Sequence, residues 1–319
     1  METTLSNQVS ESSTKENGTS TFSSRRVSFN SEGAALAGIL RSPKDRGNKK
    51  LPLIIIAPSW INIKEQFAAI YGERLAARGY NTLTFDFRNY GESGGLIRNY
   101  EVPLDKVTDL KNAVLFAEKL PEADPDNIYM LGICAGAGHV VIASAENPKV
   151  KKLALIASWL HDSEGVKIFY GGAEGVADKI QKGKAARQKF EKTGVADYAP
   201  KVSLTDPDAA MYGDFSYYLD KKRGLLPQWE SNKFAVMSWE PWLTYDPHVY
   251  ASKITCPVLM IHSEQAALPD HVKKFFAAIT TIPKSIYWTN GIQFDFYDGR
   301  QVDEAIEQVD LFFRQSTIP

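Results

Sequence analysis

Two cysteines in 319 residues, Cys134 and Cys256, are too few for a disulfide framework, so a reducing compartment is the default. A surplus of charge is also missing. The 37 Lys+Arg residues face 38 Asp+Glu, a formal net charge of −1. Nucleic acid and anionic membrane surfaces both select for excess Lys and Arg, so neither is the expected partner. No apolar run reaches the roughly 18–20 residues that span a bilayer. Metal-ligand clusters of useful spacing, phosphate-cradling glycine loops and internal repeats are equally lacking, and no metal or cofactor is expected. The remaining composition, 44% apolar and 24% charged, is that of an ordinary globular chain. The expectation is a soluble cytoplasmic protein.

Residues 1–20 hold only three apolar side chains, Met1, Leu5 and Val9, and cannot offset the entropy of ordering. Residues 1–21 are therefore read as a disordered tail, without the apolar stretch of a signal peptide. From Phe22 onward, strands at 24–30 and 34–41 flank a Ser31-Glu32-Gly33 hairpin signal. Leu51 to Ala57 (LPLIIIA) is a continuous apolar run, as in a strand buried on both faces. Helix over 64–78, strand over 80–87, helix over 102–120, strand over 128–131, helix over 134–146 and strand over 153–157 follow in turn. This alternation predicts a parallel sheet with helices on both faces. It stops after Ser158 for almost a hundred residues, in a stretch with a charged helical segment at about 172–193 and many aromatics. It resumes with strands at 257–262 and 285–289 and helices near 270–280 and 301–315. The interruption reads as a lid over the sheet edge. The division predicted is a core of 22–158 and 254–319 with a lid of 159–253.

The strongest chemical signal is Gly132-Ile133-Cys134-Ala135-Gly136, directly after a strand and opening a helix. A nucleophile on such a turn has a strained backbone, and its neighbours two residues away must be tiny. Gly132 and Gly136 meet that demand. The helix N-terminus is expected to lower the Cys134 thiol pKa, and amides there suit an oxyanion.

Four stretches together resemble the α/β-hydrolase superfamily, and within it the cysteine-nucleophile group related to dienelactone hydrolases and fungal polyketide transferases. They are Ser59-Trp60-Ile61-Asn62-Ile63-Lys64-Glu65-Gln66, Asp86-Phe87-Arg88-Asn89-Tyr90-Gly91-Glu92-Ser93-Gly94-Gly95, the Cys134 turn, and Phe294-Asp295-Phe296-Tyr297-Asp298. The resemblance implies a mostly parallel eight-stranded sheet with a helical lid inserted after strand 6. It gives Cys134 the role of nucleophile and Ala135 and Trp60 those of oxyanion-binding amides. The segment 86–95 becomes a structural turn beneath the site. Glu264, just past the strand ending at His262, is the candidate acid, with Asp270 the weaker choice. Many hydrolases carry the aspartate where this chain has Ala266.

The histidine expected just before the F-D-x-Y-D stretch is Gln293 here. A carboxamide cannot take a proton from a thiol or hand one to a leaving group at neutral pH. His161 is the first candidate to substitute, with His139, His248, His262 and His271 read as packing, capping or surface residues. Loss of the base disfavours hydrolysis more than acylation of a thiol, which points to acyl transfer or cyclisation. Two readings follow. One is a (thio)ester hydrolase or acyltransferase of secondary metabolism, acting on a polyketide-like acyl chain delivered by a polyketide synthase. The other is a degenerate hydrolase that binds an apolar ligand without turnover.

Overall fold

The computed structural model describes residues 20–229 and 233–315, so the expected tail lies almost wholly outside the described residues. Strands β1 (Phe22–Ser31) and β2 (Ala34–Pro43) form an antiparallel hairpin. Its two-residue turn places Glu32 at φ +50° and Gly33 at φ +84°, the left-handed pair that matches strand twist. Next come β3 (Leu51–Ala57), α1 (Phe67–Ala76), β4 (Asn81–Phe85), α2 (Pro103–Ala117), β5 (Ala123–Ile133), α3 (Gly136–Ala145) and β6 (Val150–Ile156). After the long insertion, the chain returns with β11 (Val258–Ser263), α8 (Pro269–Ala278), β12 (Lys284–Thr289) and α9 (Gln301–Arg314), the intervening labels belonging to the insertion. The eight-stranded sheet runs β1-β2-β4-β3-β5-β6-β11-β12. All pairs from β4 onward are parallel. Leu53 to Ala57 are wholly buried, as a central parallel strand demands.

The insertion contains α4 (Gly165–Phe169), α5 (Gly172–Thr193), β7 (Tyr198–Ala199), β8 (Val202–Ser203), β9 (Met211–Tyr212), α6 (Ser216–Leu219), β10 (Phe234–Ala235) and α7 (Trp239–Leu243). It is thus only partly helical. Two small two-stranded sheets, β7 with β10 and β8 with β9, stand where the sequence shows no period. Helix α5 buries only Gly183 and Ala186, and it packs on α7. The insertion joins the core through Trp229, Trp239 and Trp242, all buried.

Two buried ion pairs set the loop after β3. Lys64 Nζ is met by Asp86 at 2.7 Å and by Glu65 and Glu92 at 2.6 Å each. Burial acts to lower its pKa, and the carboxylates more than reverse that effect. These three acids converge tightly enough to hold a cation, and the ammonium takes that place. Glu101, wholly buried, pairs with Lys106 Nζ at 2.6 Å and accepts from the Tyr90 hydroxyl at 2.9 Å and the Ile61 amide at 3.1 Å. Ile61 is a β-branched residue at φ +53°, an unfavourable conformation fixed further by Trp229 Nε1 donating to its carbonyl at 2.7 Å. The 86–95 turn therefore supports the loop from below, and none of its residues lines the cavity described next.

Candidate active site

Five loops meet at the C-terminal edge of the parallel strands: those after β3, β5, β6, β11 and β12. Edges of this kind are where open α/β sheets build their sites. Cys134 stands at the end of β5 with φ +56°, a strained conformation for a residue with a side chain. Its amide donates to Ile156 O at 3.0 Å, and its carbonyl accepts from Trp159 N at 2.9 Å. The flanking glycines are sterically required. A Cβ on Gly132 would lie 2.5 Å from Val140 Cγ2, and one on Gly136 would lie 2.6 Å from the carbonyl oxygens of Ala57 and Pro58.

The sulfur's residue lines a cavity of about 810 Å³ together with Ser59, Trp60, Ala135, Tyr218, Gln293 and Tyr297. Insertion residues Phe169, Tyr170, Met211, Tyr212 and Phe215 supply more of its wall, so part of the aromatic content faces the cavity. Another part is internal core: the Trp60 ring stacks on Trp242 at 4.7 Å and packs edge-on against Phe234 at 5.5 Å. Trp60 is thus both a cavity residue and an aromatic plug.

The expected low thiol pKa is not what the environment gives. Burial pushes Cys134 up, against the opposing pull of the Ser59 and Tyr297 hydroxyls, the Ala135 amide and the Gln293 carboxamide. A position two residues before the helix does favour thiolate, yet removing that charge from water costs more. The resting group is a neutral thiol set among hydrogen-bond donors. The Ala135 amide is itself engaged by Ser59 Oγ at 3.3 Å, long enough for an incoming carbonyl oxygen to compete.

Gln293 lines the cavity together with Cys134, and its carboxamide is engaged at both ends. Oε1 accepts from Ala267 N at 3.0 Å, while Nε2 donates to Ala157 O at 2.8 Å and approaches the Tyr297 hydroxyl at 3.5 Å. Glu264 is not its partner. This carboxylate is exposed and pairs with Lys273 at 2.7 Å, outside the cavity wall, which corrects its assignment as the orienting acid. Asp270 reaches the cavity wall but stands 91% exposed, 3.7 Å from Lys273. Buried Ala266 lines the cavity beside the amide that holds Gln293. The loop enters the cavity wall from Gln265 and Ala266 onward, and neither of these carries a carboxylate.

His161 does not replace the base. It is wholly buried, accepts from Trp159 Nε1 at 2.8 Å on Nδ1, and turns Nε2 to the Trp242 carbonyl at 3.1 Å. Burial lowers its pKa to about 4. His139 packs between Phe87 and Tyr245, and His262 is held against Ala267 O at 3.1 Å. His248 faces Leu160 O at 3.0 Å. His271 reaches the cavity wall and gives Nε2 to Asp162 at 3.1 Å. Tyr218 and Tyr297 are site residues to which the sequence reading gave no role of their own. Tyr297 lay within a quoted motif without a role, and Tyr218 lies in the insertion, where no pattern marks it.

The sequence profile of the X-Pro dipeptidyl-peptidase (S15) family matches residues 32–290, most of the chain. The chain belongs to that family. An uncharacterized protein of Pseudomonas aeruginosa is 30% identical to this S15-family chain over 294 residues, 86% of this chain and 76% of the relative. A crystal structure of a hypothetical protein from the same species superposes with TM-score 0.82 at 27% identity, covering 98% of both chains. An α/β hydrolase from Penicillium superposes with TM-score 0.74 at 19% identity, over 92% of this chain and 98% of that one, and shows the shared α/β-hydrolase fold. Shorter matches reach a thiohydrolase of Eupenicillium brefeldianum, 32% identical over 38% of each chain. A polyketide transferase of Penicillium crustosum is 29% identical over 37% of this chain and 44% of that one. The S15-family chain is thus an α/β-hydrolase-fold protein of hydrolase type. Among the described residues, no helix is long and apolar enough to cross a membrane.

Proposed function

We propose that the chain is an acyl-transfer enzyme in which Cys134 takes an acyl group from a thioester or activated ester and passes it to an acceptor better than water. The observation that carries this reading is the Cys134 turn: a strained nucleophile position, sterically enforced by Gly132 and Gly136, opening into a large aromatic-walled cavity. The amides of Ala135 and Trp60 receive the oxyanion, with Ser59 yielding its contact to the incoming carbonyl. The cavity suits a long, unsaturated acyl chain. The short matches to a thiohydrolase and a polyketide transferase support a polyketide-like substrate in secondary metabolism, handed over by a polyketide synthase. The 159–253 segment acts as the lid. Without imidazole or carboxylate beside Cys134, water is a poor deacylating agent, and a substrate hydroxyl or enol held in the cavity takes its place.

A second reading rests on one specific observation: both relay positions are empty of acid–base groups, Gln293 in one and Ala266 in the other. On that reading the cavity binds an apolar ligand without turnover. The two separate in one experiment. Protein incubated with a medium-chain acyl thioester is divided between buffer and buffer with an aliphatic alcohol, and products are followed by chromatography. Ester formation in excess of free acid, lost in Cys134→Ala, supports transfer; ligand retention with neither product supports the binding reading.

A further inference from the structure

Given acylation of Cys134, a neutral thiol needs a route for its proton, and neither histidine nor carboxylate supplies one. The Tyr297 hydroxyl accepts from Gln293 Nε2 at 3.5 Å, and Tyr297 lines the same cavity wall as Cys134, whose thiol its hydroxyl acts on as a hydrogen-bond donor. Its ring is fixed by stacking on Phe67 at 4.1 Å and by the edge of Tyr217 at 5.1 Å. Tyr218 stands beside it with ring centroids 6.4 Å apart, and its hydroxyl donates to Asn62 Oδ1 at 3.0 Å. Asn62 is in turn bonded to Gln66, whose Nε2 donates to Gly224 O at 2.7 Å. A hydroxyl in this position is therefore held by the core on one side and open to the cavity on the other, since both tyrosines line the wall.

We propose that Tyr297 is a further catalytic residue, a neutral proton shuttle that takes the place of the missing histidine, with Tyr218 as its positioning residue. In acylation, Cys134 Sγ bonds to the acyl carbon while the bond from that carbon to the leaving sulfur breaks. The thiol proton passes to Tyr297 Oη as the Oη proton passes to the departing sulfur. In deacylation the acceptor oxygen bonds to the acyl carbon as the bond from that carbon to Cys134 Sγ breaks; the acceptor's O–H proton goes to Oη, and the Oη proton returns to Sγ. No net charge appears on either buried residue. Burial that raises both the thiol and the phenol pKa therefore favours this path over one through thiolate or phenolate.

The test uses one acyl chain on a series of thiols, from nitrothiophenol, whose weakly basic sulfur depends least on the proton that Oη hands it in the transition state, to an alkyl thiol, whose sulfur depends on it most. Acylation of the full chain is timed by quenched intact mass. Tyr297→Phe is expected to slow the alkyl thioester about 10²–10³-fold and the nitroaryl thioester less than about 10-fold. Tyr218→Phe is expected to show the same tilt at smaller size. The unaltered protein gives a measurement independent of folding: a solvent deuterium isotope effect larger for the alkyl than for the nitroaryl ester. An equal loss across the series, no loss, or an isotope effect that ignores the leaving group overturns the shuttle while leaving acyl transfer standing. If the unaltered protein takes no acyl group from any member, the acyl-transfer reading falls first and the shuttle with it.

Discussion

Placing a histidine at Gln293 and an aspartate at Ala266 should turn a slow acyl-enzyme into a hydrolase. The carboxamide now spends its oxygen on Ala267 N and its nitrogen on Ala157 O, so Gln293→His removes two neutral hydrogen bonds, each worth about 0.5–1.5 kcal/mol. A cost of about 1–3 kcal/mol is within the roughly 5–15 kcal/mol of a typical fold. In return, imidazole gains a position beside the thiol, where general-base catalysis contributes about 10²–10⁴-fold, equivalent to about 3–5 kcal/mol of barrier. Alone, that ring has no carboxylate to fix its tautomer, because Glu264 is turned away toward Lys273. Ala266 is buried and faces the cavity, so Ala266→Asp brings a carboxylate to the inner side of the loop. Protein preloaded with an acyl group is freed of excess thioester, and loss of acyl mass is followed with time. The double variant should deacylate about 10²–10⁴-fold faster than the parent, and more than the product of the two single effects. If acylated double variant with an unchanged circular dichroism spectrum hydrolyses at the parent rate, Gln293 does not stand in the base position.

Three further outcomes are expected. Lys106→Ala leaves Glu101 as a buried, unpaired carboxylate beneath the Ile61 loop and should cost about 3–5 kcal/mol in urea unfolding, whereas an exposed change such as Lys273→Ala should be nearly silent. His161 and His262 both have folded pKa values lowered to about 4 by burial. An unfolded chain protonates them from about pH 6.5 downward and the folded chain does not, so stability present at pH 7 is lost as pH falls from about 6.5 to 4. The urea midpoint should drop across that window and the drop should shrink in His262→Gln; a flat profile would contradict the burial reading. Finally, burial raises the Cys134 pKa, so alkylation by iodoacetamide should be slower than for a free thiol at pH 7 and still climbing at pH 9. A rate already at its plateau by pH 7 would show a thiolate instead.

The fold was legible wherever burial imposes a period. LPLIIIA became β3 with the same limits, and the charged segment at 172–193 became α5. Strand β5 begins at Ala123, well before Ile128, because Ala123 pairs with Leu51 across a register shift and owes its place to that partner rather than to its own pattern. The two-residue strands of the insertion carry no period at all. At the site, the Cys134 turn and Gln293 were readable because steric demand and motif spacing fix them along the chain. Glu264 was misplaced because the path of the loop past β11 decides which side chains reach the cavity, and that is a tertiary matter. The thiol pKa went astray for a related reason: helix-end amides are visible in sequence, whereas the depth of the sulfur is not.

The most direct measurement is the mass of the chain after incubation with an activated aryl thioester, followed by peptide mapping. One acyl group on the Cys134 peptide of the parent, and none on Cys134→Ala, is the expected result. An unchanged mass under conditions where the thioester survives, or an acyl group found only on Cys256 or surface lysines, would contradict a nucleophilic Cys134.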